Sequence, residues 1–393
     1  MSGLIAIDEA RRRVLAGVNR LPLESVPLER ALGRVLAEEL SAGADVPPFD
    51  SSAMDGFALV AGDAGELPVV GESRAGHPFA SAMETGAAVR ISTGAVVPEG
   101  ADVVVPVERT EEEDGRVRVP ALAPGGNIRR AGEDVRAGEV VLRAGTVIGP
   151  AELGVAASLG HAELACSARP RVALVVTGDE LARPGEPLAP GQIYSSNGFA
   201  LAGQVERAGA ELVSRASAGD NPEGTRAALE QALAGADVVC VSGGVSVGPH
   251  DHVRPALEEL GVEERFWGVS LRPGKPTWFG LRDATLAFGL PGNPVSAMVT
   301  FQLFVRPALA ALQGADPAAR RVTAALGEAV GRNPHREEAV RVRLGGGEVP
   351  RATPTGPQGS HQLTSMLGAD GLALIPAGDG EVAAGELVEV ELL

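Results

Sequence analysis

The spacing of apolar and polar residues changes several times along the chain, and each change predicts a different kind of element. Apolar residues set among Arg and Glu over residues 4–20 predict a helix, and a second helix is predicted over 28–40. Between roughly 45 and 145, short Val-rich runs alternate with Gly and Pro, which is typical of a small β-barrel or sandwich. A short helix over 151–164 is predicted to lead back out of this region.

From residue 170 onward, the apolar runs alternate between strand-like and helical spacing. Strands are predicted over 171–176, 211–215 and 236–241, and helices over 195–209 and from Pro222 to about residue 234. Strands that alternate with helices in this way favour a mostly parallel sheet in a three-layer domain. A long apolar helix follows over 294–313, and short strands return over 320–393.

These patterns predict a multidomain protein of α/β and β parts. Its centre is expected to be a three-layer α/β/α domain with a mostly parallel sheet, accompanied by an inserted small β domain, an N-terminal helical linker region and a C-terminal β-barrel-like domain. The predicted boundaries are 1–44 with 146–169 for the helical linker domain, 45–145 for the inserted domain, 170–316 for the α/β domain and 317–393 for the C-terminal domain.

Composition restricts the partners that the chain can have. The net charge is −17 and the sequence pI is near 4.9, so we expect neither nucleic acid nor membrane as a partner, and an anionic substrate needs a local basic cluster. The two cysteines are too few for a disulfide framework or a thiolate metal site. We found no leader-like segment and no run of about 18 apolar residues, which predicts a cytoplasmic protein.

Lys275 is the only lysine among the 34 lysines and arginines of the chain. A position that keeps lysine where arginine is accepted elsewhere can require a compact ammonium beside an anion. The alternative is that Lys275 is a chance survivor, and composition alone does not decide between the two.

Polar and glycine-rich loops follow the predicted strands of the α/β region, at 177–180, Asp220, 242–251 and 290–294. In an open parallel sheet, ligands bind outside the carboxyl ends of the strands. The loop 242–248 can present backbone N–H groups to a phosphate because glycine permits the required conformation. It matches neither the P-loop nor the dinucleotide fingerprint, and such a loop is often a plain strand-to-helix turn.

Three carboxylates, Glu180, Asp220 and Asp251, follow different β-rich segments and are expected to meet at this edge. Oxygen ligands of this kind suit Mg²⁺ that is shared with substrate phosphates. The alternative is that one or more of them caps a helix, and Asp220 is then the strongest candidate. His250 and His252 could form a metal pair, but two histidines without a third ligand are more often incidental.

The first half of the chain contains polar groups in sharp turns, at 47–57, at Thr93 with Gly94, and at 129–134. Such turns are more typical of sites than of scaffold. No Ser-His-Asp or Cys-His arrangement stands out, so covalent catalysis is not expected.

Together these segments closely resemble the molybdopterin molybdenumtransferase family, which includes MoeA and the E domain of gephyrin and its plant relatives. Each motif is weak alone, but seven occur in the family's order and span nearly the whole chain. They are SSAMDGF (51–57), ISTGAVVP (91–98), NIRRAGED (127–134), TGDE (177–180), SGGVSVG (242–248), RPGKP (272–276) and LPGNP (290–294).

The resemblance implies an elongated homodimer of four parts. It also implies an enzyme that inserts molybdate into adenylyl-molybdopterin, requires Mg²⁺, and releases AMP and molybdenum cofactor. The active site would lie in the cleft where two subunits meet. A molybdopterin adenylyltransferase is a further candidate partner.

Carried over residue by residue, the resemblance implies catalytic roles for Asp55, Asp134, Glu180 and Lys275. Asp251 and Glu180 are the hypothesised Mg²⁺ ligands, and Asp55 and Asp134 would position water or oxyanion from the other subunit. The expected substrate-binding residues are Thr93, Arg129, Asp220, Ser242, Gly243, Gly244, Ser246, Gly248, Arg272, Pro291 and Pro294.

Four positions depart from the family's usual residues. Phe57 replaces Tyr, Arg272 replaces Lys, Ser195 replaces Asp, and His252 replaces Tyr. None removes a carboxylate named above, although substrate affinity could change. Because the family commonly has lysine at both 272 and 275, the change at 272 alone suggests that only 275 requires the smaller cation.

Three other functions remain open at this point. A molybdopterin adenylyltransferase-like enzyme shares the α/β domain, but that family is a single short domain. A gephyrin-like scaffold protein is the second alternative, although the chain lacks the adenylyltransferase domain and long linker of gephyrin. A competence-damage-type nucleotide hydrolase is the third, and the segments 54–56 and 132–134 argue against it.

Overall fold

A six-stranded mixed sheet forms the centre of the computed structural model, which describes residues 3–62, 64–245 and 251–393. The first four strands in spatial order are parallel to one another. The fifth strand pairs antiparallel with both the fourth and the sixth. In that order the strands are Glu211–Ala218, Arg171–Thr177, Val238–Ser242, Thr285–Leu290, Trp278–Arg282 and Glu263–Trp267.

Alternate side chains of this sheet enter two separate cores. In the strand Arg171–Thr177, Val172 and Leu174 pack into one core, whereas Ala173 and Val175 pack into the other. This alternation follows from the two-residue period of a strand. The first core contains the helices Ile7–Ala16, Asn197–Arg207 and Pro294–Leu312, and the second contains Pro222–Gly235 and Val253–Glu259.

The helix Pro294–Leu312 confirms the long apolar helix predicted over 294–313. It includes a π-helical turn at Phe301–Val305 between two α-helical segments, Pro294–Thr300 and Arg306–Leu312. By length and composition alone it could cross a membrane, but 78% of its most apolar 18-residue stretch is buried inside the protein. Its apolar side chains are therefore accounted for by the first core.

The inserted region forms a second six-stranded sheet with its own small cores. Its only parallel pair joins Gly65–Ser73 to Ala88–Ile91, among the pairings that the described residues make. In spatial order the strands are Val103–Pro106, Gly56–Leu59, Ala88–Ile91, Gly65–Ser73, Arg116–Val119 and Glu111–Glu113.

The region that links the inserted sheet to the centre contains less helix than predicted. Pro150–Ser158 is helical, but the helix predicted over 28–40 is wrong. A short 3₁₀ turn at Leu28–Arg30 gives way to isolated bridges, because Gly33 adopts a φ of 73° that ends helical geometry. Short strand pairs complete this region: Leu23–Pro27 with Glu163–Ser167, and Leu40–Ser41 with Val140–Leu142.

The C-terminal region is a closed barrel of five strands, so the protein is a multidomain α/β protein with a C-terminal barrel. In order around the barrel the strands are Glu337–Gly345, Arg351–Pro354, Arg321–Leu326, Leu387–Leu392 and Gly371–Ile375. Leu271–Arg272 pairs with the first of these strands from the central domain. The remaining short pairs are Ser51–Ser52 with Ile128–Arg129, Leu181–Ala182 with Ile193–Tyr194, and Val330–Gly331 with Glu381–Val382.

A buried ion pair fastens the first helix to this barrel. Glu391 is fully buried and accepts hydrogen bonds of 2.8 and 2.6 Å from Nη2 of Arg11, while Arg321 lies 3.5 Å away. Removing one member of a buried pair leaves an uncompensated charge, which is strongly destabilising.

We therefore expect Glu391→Gln to lower the free energy of unfolding by about 3 kcal/mol, measured by urea denaturation. The matched control is Glu389→Gln, because Glu389 is an exposed carboxylate on the same strand that contacts only Thr323 among its described hydrogen-bond partners. Equal stability of the two variants would contradict a structural role for the Glu391 pair.

Candidate active site

A cavity of 680 Å³, here called the main cavity, opens at the carboxyl ends of the parallel strands. Its walls come from the loops after the strands Arg171–Thr177, Val238–Ser242 and Thr285–Leu290, and from the start of the helix Asn197–Arg207. The predicted site residues that line it are Glu180, Asp220, Ser242, Gly243, Gly244, Asp251, Pro291 and Pro294. Ser246, Gly248 and His250 lie outside the described residues.

The glycine loop passes directly against the neighbouring strand end. Gly243 and Gly244 have φ of 98° and 64°, which favour glycine. A Cβ on Gly243 would lie 2.7 Å from Oγ1 of Thr177, and one on Gly244 would lie 2.7 Å from Cγ2 of Val253. Both glycines are therefore required by conformation and by close approach. The N–H of Gly243 donates to the carbonyl of Leu290 at 3.1 Å, which fixes the loop to the next strand.

Asn197 joins two loops of the main cavity, and our sequence analysis did not single it out as a site residue. Its Nδ2 donates to Oγ of Ser242 at 2.8 Å and to the carbonyl of Gly292 at 2.7 Å. The Ser242 hydroxyl in turn donates to the carbonyl of Pro291 at 3.3 Å. Both side chains are buried, so these bonds hold the loops in one arrangement.

The two tryptophans of the chain also support the glycine loop, which the sequence alone did not indicate. Nε1 of Trp267 donates to the carbonyl of Val245 at 3.0 Å, and the Arg254 guanidinium lies 5.0 Å from the centroid of a Trp267 ring. Glu264 accepts from Arg254 at 2.9 Å and from Nε1 of Trp278 at 2.7 Å. This network fixes the last described residue of the loop.

The three carboxylates share the main cavity, as predicted. The Glu180 carboxylate lies against Gly178, where an added Cβ would be 2.5 Å from Oε2 of Glu180. Asp220 exchanges bonds with Asp179: the N–H of Asp220 donates to Oδ1 of Asp179 at 3.0 Å, and the reverse bond is 3.4 Å. Within residues 3–62, 64–245 and 251–393, no group of three or more His, Cys, Asp or Glu is arranged to hold a metal by itself.

The alternative that Asp220 caps the following helix is wrong. Asn221 is the N-cap, and its Oδ1 accepts from the N–H of Gly224 at 2.7 Å. Pro222 occupies the first turn and places the cap on the residue directly before it. The Asp220 carboxylate is therefore not used as a helix cap.

The two predicted cations, Arg272 and Lys275, do not line the main cavity as the carboxylates do. Arg272 forms an ion pair with Glu338 of the barrel at 3.0 Å, and burial raises the pKa of Glu338 against the opposing effect of Arg272. Lys275 is exposed. Neither side chain belongs to the described lining of the main cavity, although the adjacent Pro276 does.

The barrel domain contributes His361 to the main cavity, a residue that the sequence analysis missed. The segment that carries it is held by Arg341, which is almost fully buried and donates to Oγ of Ser365 at 3.1 Å and to the carbonyl of Gly359 at 3.4 Å. Burial lowers the pKa of Arg341 to about 10. The N–H of Val295 donates to the carbonyl of Ser360, which docks this segment beside the main cavity.

The predicted residues of the inserted domain do not line the main cavity. Oδ1 of Asp55 accepts from the N–H of Thr93 at 2.7 Å, so these two lie together. Arg129 lies opposite Ser51 in a short antiparallel pair, and the N–H of Asp134 donates to the carbonyl of residue 46. Asp55, Thr93, Arg129 and Asp134 are all exposed, and all lie outside the described lining of the main cavity.

The departure at Phe57 is internal to the inserted sheet. Its ring is 1% exposed and lies beneath the Arg90 guanidinium, 5.3 Å from the centroid. The hydroxyl that tyrosine would carry at residue 57 is therefore absent from a buried position.

Three family models match successive parts of the chain and define its class. They are the MoeA N-terminal region (domains I and II) at residues 5–160, a probable molybdopterin-binding domain at 173–311, and the MoeA C-terminal region (domain IV) at 323–393. The main cavity lies at the carboxyl edge of the sheet within the second of these. The combination defines a protein of molybdenum cofactor biosynthesis.

Relatives of known name match along nearly the whole chain. The molybdopterin molybdenumtransferase of Haemophilus influenzae is 38% identical, covering 99% of this chain and 98% of its own length. Molybdopterin molybdenumtransferase 2 of Mycobacterium tuberculosis is 40% identical over 97% of this chain and 98% of its own. The crystal structure of a molybdopterin biosynthesis MoeA protein from Pyrococcus horikoshii superposes with a TM-score of 0.84 at 31% identity, covering both chains fully. The chain belongs to the molybdopterin molybdenumtransferase (MoeA) family, a family of transferases.

Gly243→Ala tests whether the glycine loop requires its conformation. The added methyl group meets Thr177 and the φ of 98° strains the backbone, so we expect the free energy of unfolding to fall by about 3 kcal/mol, measured by urea denaturation. Gly76→Ala is the control, since Gly76 has a φ of 77° but nothing within 4 Å of an added Cβ. Equal losses of stability in the Gly243 and Gly76 variants would show that the close approach to Thr177 adds nothing to the backbone strain.

Asn197→Asp removes both hydrogen bonds that Asn197 donates and places a carboxylate beside the carbonyl of Gly292. We expect the free energy of unfolding to fall by about 3 kcal/mol, measured by urea denaturation. Asn333→Asp is the control because the Asn333 side chain is an acceptor, from the N–H groups of His335 and Arg336, and a carboxylate preserves that role. Comparable losses in the two variants would show that the loss does not come from the donated bonds.

Proposed function

We propose that this transferase inserts molybdenum in molybdenum cofactor biosynthesis, transferring molybdate to adenylyl-molybdopterin with Mg²⁺-dependent release of AMP. The observation that carries the proposal is that three carboxylates and a glycine loop line one cavity at the carboxyl edge of the sheet. The match to molybdenumtransferases over nearly the whole chain favours this function over that of a single-domain adenylyltransferase.

The carboxylates that line the main cavity fit Mg²⁺. Glu180 and Asp251 would hold it, since Mg²⁺ in such sites takes one or two protein carboxylates and completes its shell with water and phosphate oxygens. When bound, Mg²⁺ would neutralise charge on the phosphate groups of the substrate.

The chain itself would contribute positioning rather than a nucleophile. The loop that begins at Ser242 would receive the phosphate or pterin of the substrate, and Asn197 would hold that loop against the loop at Gly292. Molybdenum is bound by the dithiolene sulfurs of the substrate, so the protein needs no thiolate of its own. Cys166 and Cys240 are both buried, and burial raises the pKa of each thiol, which suits inert core residues.

We propose further that two copies of the chain complete one active site. Asp55, Thr93, Arg129 and Asp134 would come from one copy and the main cavity from the other. The support is that these four exposed residues lie outside the lining of the main cavity of their own chain. Lys275 remains proposed as an anion contact on the exposed rim, whereas Arg272 is engaged with Glu338.

The finer division of the chain is also proposed. The proposed boundaries are 1–44 with 146–169, 45–145, 170–316 and 317–393, and the family models at 173–311 and 323–393 support the last two. The three-layer reading of the central domain is supported by the two cores on opposite faces of its sheet. A cytoplasmic location, and delivery of substrate by a molybdopterin adenylyltransferase, complete the proposal.

Glu180→Gln tests the proposed chemistry. Wild-type enzyme supplied with adenylyl-molybdopterin, Mg²⁺ and molybdate should release AMP only when molybdate is present, and the variant should be slower by about 100-fold or more. Glu186→Gln is the control, since Glu186 is an exposed carboxylate of the same loop outside the main cavity. Release of AMP that ignores molybdate, or a Glu180 variant as fast as wild type, would falsify the proposal.

A further inference from the structure

A second cavity of 330 Å³ adjoins the main cavity. The two share Val176 and Ser195 in their linings, so they are contiguous. The second cavity is formed between the end of a central strand, the start of the helix Asn197–Arg207 and the edge strand Glu211–Ala218. A ligand in the main cavity could therefore extend into it.

The second cavity is basic, in contrast to its neighbour. Arg183 and Arg215 line it together with the hydroxyl-bearing Ser195 and Ser217, and its lining contains no carboxylate. Among residues 3–62, 64–245 and 251–393, neither guanidinium forms an ion pair with a carboxylate. In a chain of net charge −17, two arginines free of acidic partners beside one cavity create a local site for anions.

Arg215 is held in place by its surroundings. Its guanidinium lies 4.1 Å from the centroid of the Phe199 ring, and its Cδ would be 3.4 Å from a Cβ on Gly198. A guanidinium stacked on a ring keeps its N–H groups available at its edge, where they can bind an oxyanion through two bonds.

The negative charge of the main cavity opposes the binding of an anion, and the second cavity provides cations beside it. Three carboxylates line the main cavity and suit a divalent cation, but they repel an anionic substrate. Arg272 and Lys275, the cations predicted for this purpose, lie outside its described lining, and Arg272 is paired with Glu338. Arg183 and Arg215 are the cations that line the adjoining cavity.

We propose that the second cavity is a subsite for a tetrahedral oxyanion, bound by Arg183 and Arg215 with the hydroxyls of Ser195 and Ser217. The oxyanion is either the phosphate group of a ligand that spans both cavities or free molybdate. Its place in the reaction rests on the proposed function, whereas its binding does not.

Equilibrium dialysis against inorganic phosphate, molybdate and AMP, each in turn, tests the subsite. The double variant Arg183→Gln/Arg215→Gln should bind at least one of these anions about tenfold more weakly than wild type. The control is Arg226→Gln/Arg265→Gln, which removes the same charge from two exposed arginines outside both cavities. Phe199→Leu keeps both charges but removes the stacking, and should weaken binding about threefold.

The three anions distinguish the two sources. Weaker binding of AMP and phosphate with unchanged molybdate indicates the phosphate of a spanning ligand, and weaker binding of molybdate alone indicates the free substrate. The subsite is ruled out if wild type binds none of the anions, if the Arg183/Arg215 variant binds all of them normally, or if the control loses as much affinity. Wild type that binds an oxyanion but releases no AMP would refute the proposed function and leave the subsite intact.

Discussion

The main cavity depends on the contact between loops that follow neighbouring parallel strands. Gly243 passes so close to Thr177 that no side chain fits between them, and Asn197 bonds this loop to the one at Gly292. Because backbone and buried amide groups make these contacts, the loops have little freedom to separate. Trp267 supports the same loop from the antiparallel side of the sheet, and the barrel segment with His361 covers the cavity from another domain.

Charge is divided between the two adjoining cavities in a way that suits a reaction of anions with a divalent cation. Carboxylates line one cavity and arginines the other, with Val176 and Ser195 between them. The buried charge of Glu391 is structural instead, because it is paired with Arg11. A strongly acidic protein can in this way admit anionic substrates through a local basic surface.

The sequence predicted the parts of the site that follow from local pattern. Glu180, Asp220 and Asp251 could be grouped because the carboxyl ends of parallel strands meet at one edge of a sheet. Asn197, Trp267 and His361 could not be found in this way, since each lines or supports the cavity through contacts between residues distant in sequence. The helix predicted over 28–40 failed because apolar spacing took no account of the positive φ at Gly33.

In the proposed active site, residues that lie apart within one chain meet between two copies of it. Mixing Asp55→Asn chains with Glu180→Gln chains under conditions that exchange subunits tests this directly, with molybdate-dependent AMP release as the readout. Each variant alone should be inactive, and the mixture should recover about a quarter of wild-type activity, because half of the dimers are mixed and each has one intact site. A mixture as inactive as its components, with subunit exchange verified, would contradict the claim.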